Sequence, residues 1–222
     1  MVPCVYHTMQ LTPDSVLITI VILIFSVIVH EVAHGYAANA LGDPTARLAG
    51  RLTLNPVPHI DLIGSILIPA FLVFTHAGIL FGWAKPVPYN PYNLKNQRWG
   101  EAMVAFAGPA TNLAIAILFA FVVRAAGAGI LPAAAGAFAV IIVFVNLFLG
   151  LFNLIPIPPF DGYTFLSSVL PYKHTMKMRS IEQHIMAMGP MGLILVLFLF
   201  IFLFSTPFYN FVVYLFRLLV GV

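Results

Sequence analysis

The stretch Val16–Ala40, VLITIVILIFSVIVHEVAHGYAANA, is an apolar run of membrane-spanning length that carries two histidines and a glutamate near its end. Ionisable side chains are costly in hydrocarbon unless something there binds them. In a helix, positions i and i+4 lie on one face, so His30 and His34 can both present imidazole nitrogens to one metal ion, with Glu31 beside the water on that ion. The spacing therefore predicts a zinc site and a metalloprotease built into a membrane.

The composition indicates a membrane protein independently of this motif. Hydrophobic residues make up 61% of the 222 residues and charged residues only 8%, which excludes an ordinary soluble domain. Two further stretches, 62–81 and 208–222, are apolar but ambiguous, because the first contains a proline and a histidine and the second is short. We expect an all-α polytopic membrane protein with about five or six transmembrane helices in a single domain, 1–222. The four clearest spans are 16–40, 102–123, 133–154 and 185–204.

Charge and cysteine content exclude several other functions. The net charge of +3 is too diffuse for a nucleic-acid partner. The single cysteine, Cys4, excludes an internal disulfide and a cysteine-based zinc site. No basic residue precedes the first apolar run, so we expect the first helix to stay attached rather than to be removed as a signal peptide.

A second polar constellation, 153–162 (NLIPIPPFDG), ends a long apolar helix in prolines and an acid. A catalytic zinc takes three protein ligands, so the two histidines require one more. Most acids in the chain have ordinary explanations as helix caps or turn residues. The residues alone leave Asp61 and Asp161 as candidates for the third ligand.

These motifs together resemble the site-2 proteases, a family of intramembrane zinc metalloproteases that cut transmembrane segments of other proteins. The resemblance covers about 14–184, the expected catalytic core, and leaves C-terminal helices at about 185–222; it includes no PDZ-like or nucleotide-sensing module. It implies Asp161 as the third zinc ligand and Asn153 as a group that steadies the substrate carbonyl or its oxyanion. The matching residues are His30, Glu31 and His34; Gly108, Pro109 and Asn112; and Asn153, Pro156, Pro158, Asp161 and Gly162.

The need to assemble one site also constrains the topology. His34 and Asp161 must lie at the same membrane depth, so the crossings between them must be even in number. This favours a re-entrant or interfacial hairpin at about 49–82 over a full span, and it places most basic residues on one face with only Arg124 on the other. We therefore expect the plasma membrane of a prokaryote and an active site that faces the cytoplasm. Residues 49–59 are the expected place for a short strand or hairpin beside the site.

Several polar residues have more than one interpretation. Asn112 is either a site residue or an interhelical hydrogen-bonding residue. His59 and Asp61 either bind metal or form a satisfied polar pair. Asn55, Pro156 and Gly162 are expected to support the site or contact substrate. The loops 41–61 and 81–98 are expected to wall the entrance, and the aromatic residues Trp83, Tyr89, Tyr92 and Trp99 around Lys-Pro-Val-Pro are interpreted as an interfacial belt.

Two other functions remain open at this point. A membrane metal transporter also places histidines and carboxylates in helices, but it would favour a path of ligands and would not need Glu31. A catalytically silent membrane scaffold would retain the fold without the chemistry. Expected partners are transmembrane protein substrates and the lipid bilayer.

Overall fold

The structure is a computed structural model that describes residues 13–75, 84–97 and 99–221. Eight α-helices are present in these residues: α1 Pro13–Ala40, α2 Thr45–Leu48, α3 Ile68–Phe74, α4 Gly100–Gly127, α5 Ala133–Asn153, α6 Asp161–Val169, α7 Tyr172–Ala187 and α8 Pro190–Val220. Short 3-10 turns lie at Val57–His59 and Pro91–Asn93, and a π-helical turn at Leu62–Leu67 leads into α3. The predictions for Cys4 and Trp83, and for the end of the apolar stretch 62–81, lie outside the described residues.

Four helices in the described residues are long and apolar enough to cross a membrane: Val16–Ala40, Gly100–Gly127, Ala133–Asn153 and Ile194–Val220. Their length exceeds the roughly 20 residues that a bilayer core requires. The prediction of an all-α membrane protein is therefore confirmed. The finer count of five or six transmembrane helices stays a prediction.

The C-terminal region differs from the sequence prediction. We expected a span at 185–204 and left the apolar stretch 208–222 ambiguous, but α8 runs without interruption from Pro190 to Val220 and contains Pro207. A proline inside a helix removes one backbone hydrogen bond. The apolar residues on both sides keep all their other backbone groups paired within the helix, as a membrane requires, so the helix continues.

The expected strand at 49–59 is also wrong, since none of the described residues forms a strand. Pro56 and Pro58 have no backbone N–H to donate to a neighbouring strand. The Thr53 hydroxyl accepts a hydrogen bond from the Asn55 N–H, and the Asn55 side chain accepts one from the Val57 N–H. These local bonds favour turns over a ladder.

The helices pack so that two ends of the bundle can be distinguished. The His34 side chain bonds to the Val104 carbonyl, which places the C-terminal end of α1 beside the N-terminal end of α4. At the other end, the Arg124 guanidinium donates to the carbonyls of Leu218 and Leu219. The last carbonyls of α8, which have no partner within the helix, are thereby satisfied. Between the two ends, alanine, branched aliphatic and phenylalanine side chains form a buried core: Ala116, Ala120, Val143, Leu147, Val212, Phe216 and Val220.

Asp43, directly after α1, ties the end of that helix to the segment 90–93. Its side chain is completely buried and accepts hydrogen bonds from the Thr45 hydroxyl and N–H, the Asn90 N–H and the Asn93 amide. Burial alone would raise the pKa of the Asp43 carboxyl, but these hydrogen bonds outweigh it and hold that pKa below its usual range.

The Asp43→Asn variant is expected to lower the free energy of unfolding at pH 7 by about 1–3 kcal/mol, because an amide cannot accept all of these bonds. Since the folded-state pKa is depressed, the stabilisation is complete above the unfolded pKa of about 3.9 and is lost as pH falls through the folded pKa. Thermal unfolding in detergent checks this. The free energy of unfolding of the variant should be lower than that of wild type at pH 7, and this difference should become smaller below about pH 4. Equal stability at pH 7 would contradict it.

Candidate metal centre

Three side chains from two distant segments meet inside the bundle. The Nε2 atoms of His30 and His34 lie 3.1 Å apart, because these residues are one turn apart on α1. The chain leaves α5 at Asn153, passes through the proline-rich loop and begins α6 at Asp161. The Asp161 Oδ2 atom lies 3.0 Å from His30 Nε2 and 3.3 Å from His34 Nε2. The helix break therefore returns a carboxylate to the level of the two histidines.

The hydrogen bonds around the histidines fix which ring nitrogen carries the proton. The His34 Nδ1 atom lies 2.7 Å from the Val104 carbonyl oxygen, which can only accept, so Nδ1–H is the donor. The His30 Nδ1 atom lies 2.6 Å from Asn112 Oδ1 and donates to it. Both Nε2 atoms therefore present lone pairs toward Asp161.

This donor set fits a zinc ion. Oxygen Oδ2 of Asp161 is buried and has no hydrogen-bond donor, as expected when both facing nitrogens are unprotonated. The three atoms are 3.0–3.3 Å apart, close to the separation of about 3.3 Å between ligands of a tetrahedral zinc site. In the part of the chain that the structure describes, no other group of three histidine, cysteine or acidic residues has metal-binding geometry.

Gly108 lets α4 approach the histidines closely. A Cβ atom at this position would lie 2.4 Å from His34 Nε2 and 2.7 Å from His30 Nε2, too close for any side chain. The glycine of the Gly-Pro-x-x-Asn segment thus leaves room for the coordinating edges of both imidazoles.

Asn112 belongs to a buried polar chain that connects α1, α4 and α5. Its Nδ2 atom donates to Asn146 Oδ1 at 2.8 Å and to the Ser26 carbonyl at 3.3 Å, which turns its Oδ1 atom toward His30. Asn146 Nδ2 in turn donates to the Ser26 hydroxyl and the Ile142 carbonyl. Asn112 therefore forms interhelical hydrogen bonds and contacts a candidate ligand, and its role in the site stays a prediction.

Glu31 lies next to His30 on α1 and is partly exposed. Its Oε2 atom accepts a hydrogen bond of 2.9 Å from the Val87 N–H. The carboxylate is thus held by the Lys85-Pro86-Val87-Pro88 motif itself.

The other candidate residues occupy local positions. Asp61 caps the π-helical turn by accepting from the Ile63 and Gly64 N–H groups, so it does not join the metal-binding group. His59 donates through Nε2 to the Thr53 carbonyl. Asn55 is exposed in its turn and Pro156 is exposed in the loop between α5 and α6.

Two motif residues, at the end of α5 and the start of α6, have clear packing roles. Asn153 donates through Nδ2 to the Leu149 carbonyl at 3.0 Å and is half-buried. Gly162 is required by close packing, because a Cβ atom there would lie 2.1 Å from the Leu154 carbonyl oxygen. This contact holds the proline-rich loop against the start of α6.

Sequence reasoning missed Ser26, Asn146 and the Val87 N–H. The position of Asn146 in the middle of the apolar run 133–153 was a usable signal, since a polar residue inside a span usually pairs with another buried group. A backbone N–H carries no signal in the sequence.

Sequence similarity connects this chain with a known protein family. A model of peptidase family M50 matches residues 18–136 and 130–197. "Putative zinc metalloprotease YwhC" of Bacillus subtilis (strain 168) is 40% identical over 185 residues, which cover 81% of this chain and 79% of that protein. "Putative zinc metalloprotease Rip2" of Mycolicibacterium smegmatis is 31% identical over 142 residues, 63% of this chain and 52% of Rip2. Rip2 of Mycobacterium tuberculosis (strain H37Rv) is 30% identical over 141 residues, 64% and 52% of the two chains. No solved structure matches the chain.

The Gly108→Ala variant should lower zinc affinity by at least about tenfold, because its methyl group displaces the imidazole edges of both histidines. Gly127→Ala is the matched control: it lies in the same helix, and its added Cβ meets nothing within 4 Å. Zinc competition with a chelator measures the effect on purified protein. Equal affinities for the two variants would contradict the assigned packing.

Replacing Asn146 with Leu should lower zinc affinity about 10- to 100-fold, the usual effect of losing a partner that orients a metal ligand. The change removes the Asn146 Oδ1 atom, which accepts the shorter of the two hydrogen bonds from Asn112 Nδ2. The Asn112 amide is then free to turn away from His30. Thr111→Val serves as the control, because the Thr111 hydroxyl donates to the Ala107 carbonyl of its own helix. If both variants bind zinc like wild type, Asn146 has no role in orienting His30.

Proposed function

The chain belongs to peptidase family M50 and is an intramembrane zinc metalloprotease, and from that premise we propose the residues and the topology with which it acts. His30, His34 and Asp161 hold the zinc ion, and Glu31 is the general base. The observation that carries this assignment is the convergence of two imidazole lone pairs and a buried carboxylate oxygen beside a glutamate, within 3.0–3.3 Å of one another.

The chemistry follows from the positions of the side chains. A bound zinc ion supplies a Lewis acid that makes water a nucleophile near neutral pH and polarises a peptide carbonyl. Glu31 accepts the proton of the attacking water and later delivers it to the leaving amine. One N–H of the Asn153 amide is bonded to the Leu149 carbonyl, and the second is a donor for the developing oxyanion.

The proposed substrates are transmembrane segments of other membrane proteins. The histidines are only 6% and 9% exposed and lie in a membrane-spanning helix, so the site is recessed from bulk water. A helical substrate hides its carbonyls in intrahelical hydrogen bonds. The segment must therefore be unwound locally before Glu31 and water can act on it.

We propose that the segment at about 49–82 is a re-entrant or interfacial hairpin. The Lys85 N–H, just after this segment, donates to the His59 carbonyl at 2.9 Å, so His59 and Lys85 lie at one level. The helical part that is described, residues 62–74, is about 20 Å long at 1.5 Å per residue, shorter than the roughly 30 Å of a bilayer core. Two crossings, α4 and α5, then separate His34 from Asp161, which is the even number that the site requires.

The active site faces the cytoplasm in this topology. Most basic residues lie at the end of the bundle that contains the site, whereas Arg124 and, in the last turn of α8, Arg217 lie at the opposite end. Cytoplasmic loops carry an excess of lysine and arginine. The bacterial origin of the similar proteins fits a prokaryotic plasma membrane.

The transporter and scaffold alternatives are less well supported. A transporter needs successive ligands along a path, whereas one three-residue group is found among the described residues. A silent scaffold would have no need for Glu31 beside that group.

Glu31→Gln should retain zinc and lose turnover by about 10²- to 10⁴-fold, the usual contribution of a general base. Asp161→Ala should weaken zinc binding itself. Zinc quantification and cleavage of a single-span substrate in detergent measure both effects. Asp61→Asn is the control for zinc content, since Asp61 caps a local turn. Undiminished cleavage by Glu31→Gln, or loss of zinc from Asp61→Asn but not from Asp161→Ala, would overturn the assignment.

Single cysteines in a Cys4→Ser background test the topology. Leu48, Tyr92 and Tyr172 are 79%, 86% and 78% exposed at one end of the bundle, and Ile130 is 76% exposed at the other. A membrane-impermeant thiol reagent should label Ile130→Cys in intact bacterial cells and the other three only after permeabilisation. Labelling of Tyr92→Cys together with Ile130→Cys in intact cells would place the segment 84–97 on the extracellular side and contradict the proposed topology.

A further inference from the structure

The segment 84–95, here called the strap, runs over the C-terminal half of α1 and contains the Lys85-Pro86-Val87-Pro88 motif. The aromatic-belt interpretation explains its tyrosines but not this motif. We propose that the strap positions the carboxylate of Glu31 through the Val87 N–H, so that Val87 is a positioning residue for catalysis. The proposal rests on the function of Glu31 as general base.

The motif presents a single backbone donor. Pro86 and Pro88 have no N–H, and their rings fix their φ angles. Val87 lies between them, and its N–H is the group that reaches Glu31 Oε2, at 2.9 Å. A rigid Pro-Val-Pro unit therefore aims one donor at one carboxylate oxygen.

Close packing holds Val87 against α1. Its side chain is only 6% exposed. A Cβ atom at Gly35 would lie 2.8 Å from Val87 Cγ1 and 2.6 Å from Leu52 Cδ2, so the absence of a side chain at Gly35 permits the contact. Gly35 follows Glu31 by one helical turn and faces the same segment.

Hydrogen bonds anchor the strap on both sides of Val87. Before it, the buried Arg51 donates through Nη2 to the Lys85 carbonyl at 2.8 Å and to the Pro86 carbonyl at 3.3 Å, and the Lys85 N–H bonds to His59. After it, the Asn90 N–H donates to Asp43 at 2.6 Å. Further along, the Lys95 N–H donates to the Leu41 carbonyl at 2.9 Å.

This arrangement explains how a flexible side chain can act as a base. A free glutamate samples many rotamers, and fixing it has an entropic cost. The Val87 N–H holds Oε2 and leaves Oε1 to accept a proton from water. Misplacing a reacting group by about 1 Å can cost about a hundredfold in rate, so a fixed carboxylate is an advantage.

The test replaces the Val87 amide with an ester by incorporating 2-hydroxy-3-methylbutanoate through nonsense suppression, which removes the N–H and keeps the side chain. The matched control is the same ester at Val57. Val57 also follows a proline, its N–H bonds to the Asn55 side chain, and the preceding Pro56 carbonyl also accepts a hydrogen bond. Both proteins are assayed for kcat, KM and zinc content with a single-span substrate.

The Val87 ester should lower kcat about 10- to 100-fold with KM and zinc content unchanged, and the Val57 ester should behave like wild type. In a Glu31→Asp background, where the shorter carboxylate cannot reach Val87, the Val87 ester should cause no further loss. An unchanged kcat, a loss of equal size in the Glu31→Asp background, an equal effect at Val57, or loss of zinc would each overturn the proposal. If Glu31→Gln retains full turnover, the proposed function fails instead, whatever the esters do.

Discussion

The convergence of two imidazole nitrogens and one carboxylate oxygen in a membrane-spanning bundle is the constraint on which the rest of the structure depends. Three lone-pair donors within 3.3 Å of one another repel unless a cation binds them. For both Nε2 atoms to face the same point, both Nδ1 atoms need acceptors on the other side. Val104 and Asn112 on α4 supply those acceptors, so α4 must pack directly against α1.

The same constraint accounts for the close approaches in the bundle. Gly108 gives α4 room beside the imidazole rings, and Gly162 lets α6 begin directly under the loop that leaves α5. Asn146 and Ser26 extend the hydrogen bonds of Asn112 to a third helix. A buried amide with all its bonds made has one stable orientation, which makes the His30 ring a well-defined ligand.

Much of this site was predictable from the sequence, because its chemistry is concentrated in short motifs. The i, i+4 histidines, Glu31 and the helix break before Asp161 are visible in an apolar chain, and the four long helices follow from length and hydropathy. Residues alone left Asp61 and Asp161 open, since only tertiary packing shows that Asp61 caps a turn. The two C-terminal segments merged into α8, because a proline in lipid does not break a helix as reliably as it does in water. Contacts that use the backbone, such as Val87 N–H to Glu31 or His34 to the Val104 carbonyl, have no residue type to signal them.

We propose His30, His34 and Asp161 as the zinc ligands of this protease. X-ray absorption at the zinc edge of the purified protein tests this assignment, because the method separates sulfur from nitrogen or oxygen ligands and detects imidazole by its outer-shell scattering. We expect two imidazole nitrogens and oxygen ligands at about 2.0–2.2 Å, with no sulfur in the coordination sphere. His30→Ala should reduce the imidazole count to one. A zinc–sulfur distance of about 2.3 Å, which would require Cys4, or a spectrum without imidazole scattering would contradict the account.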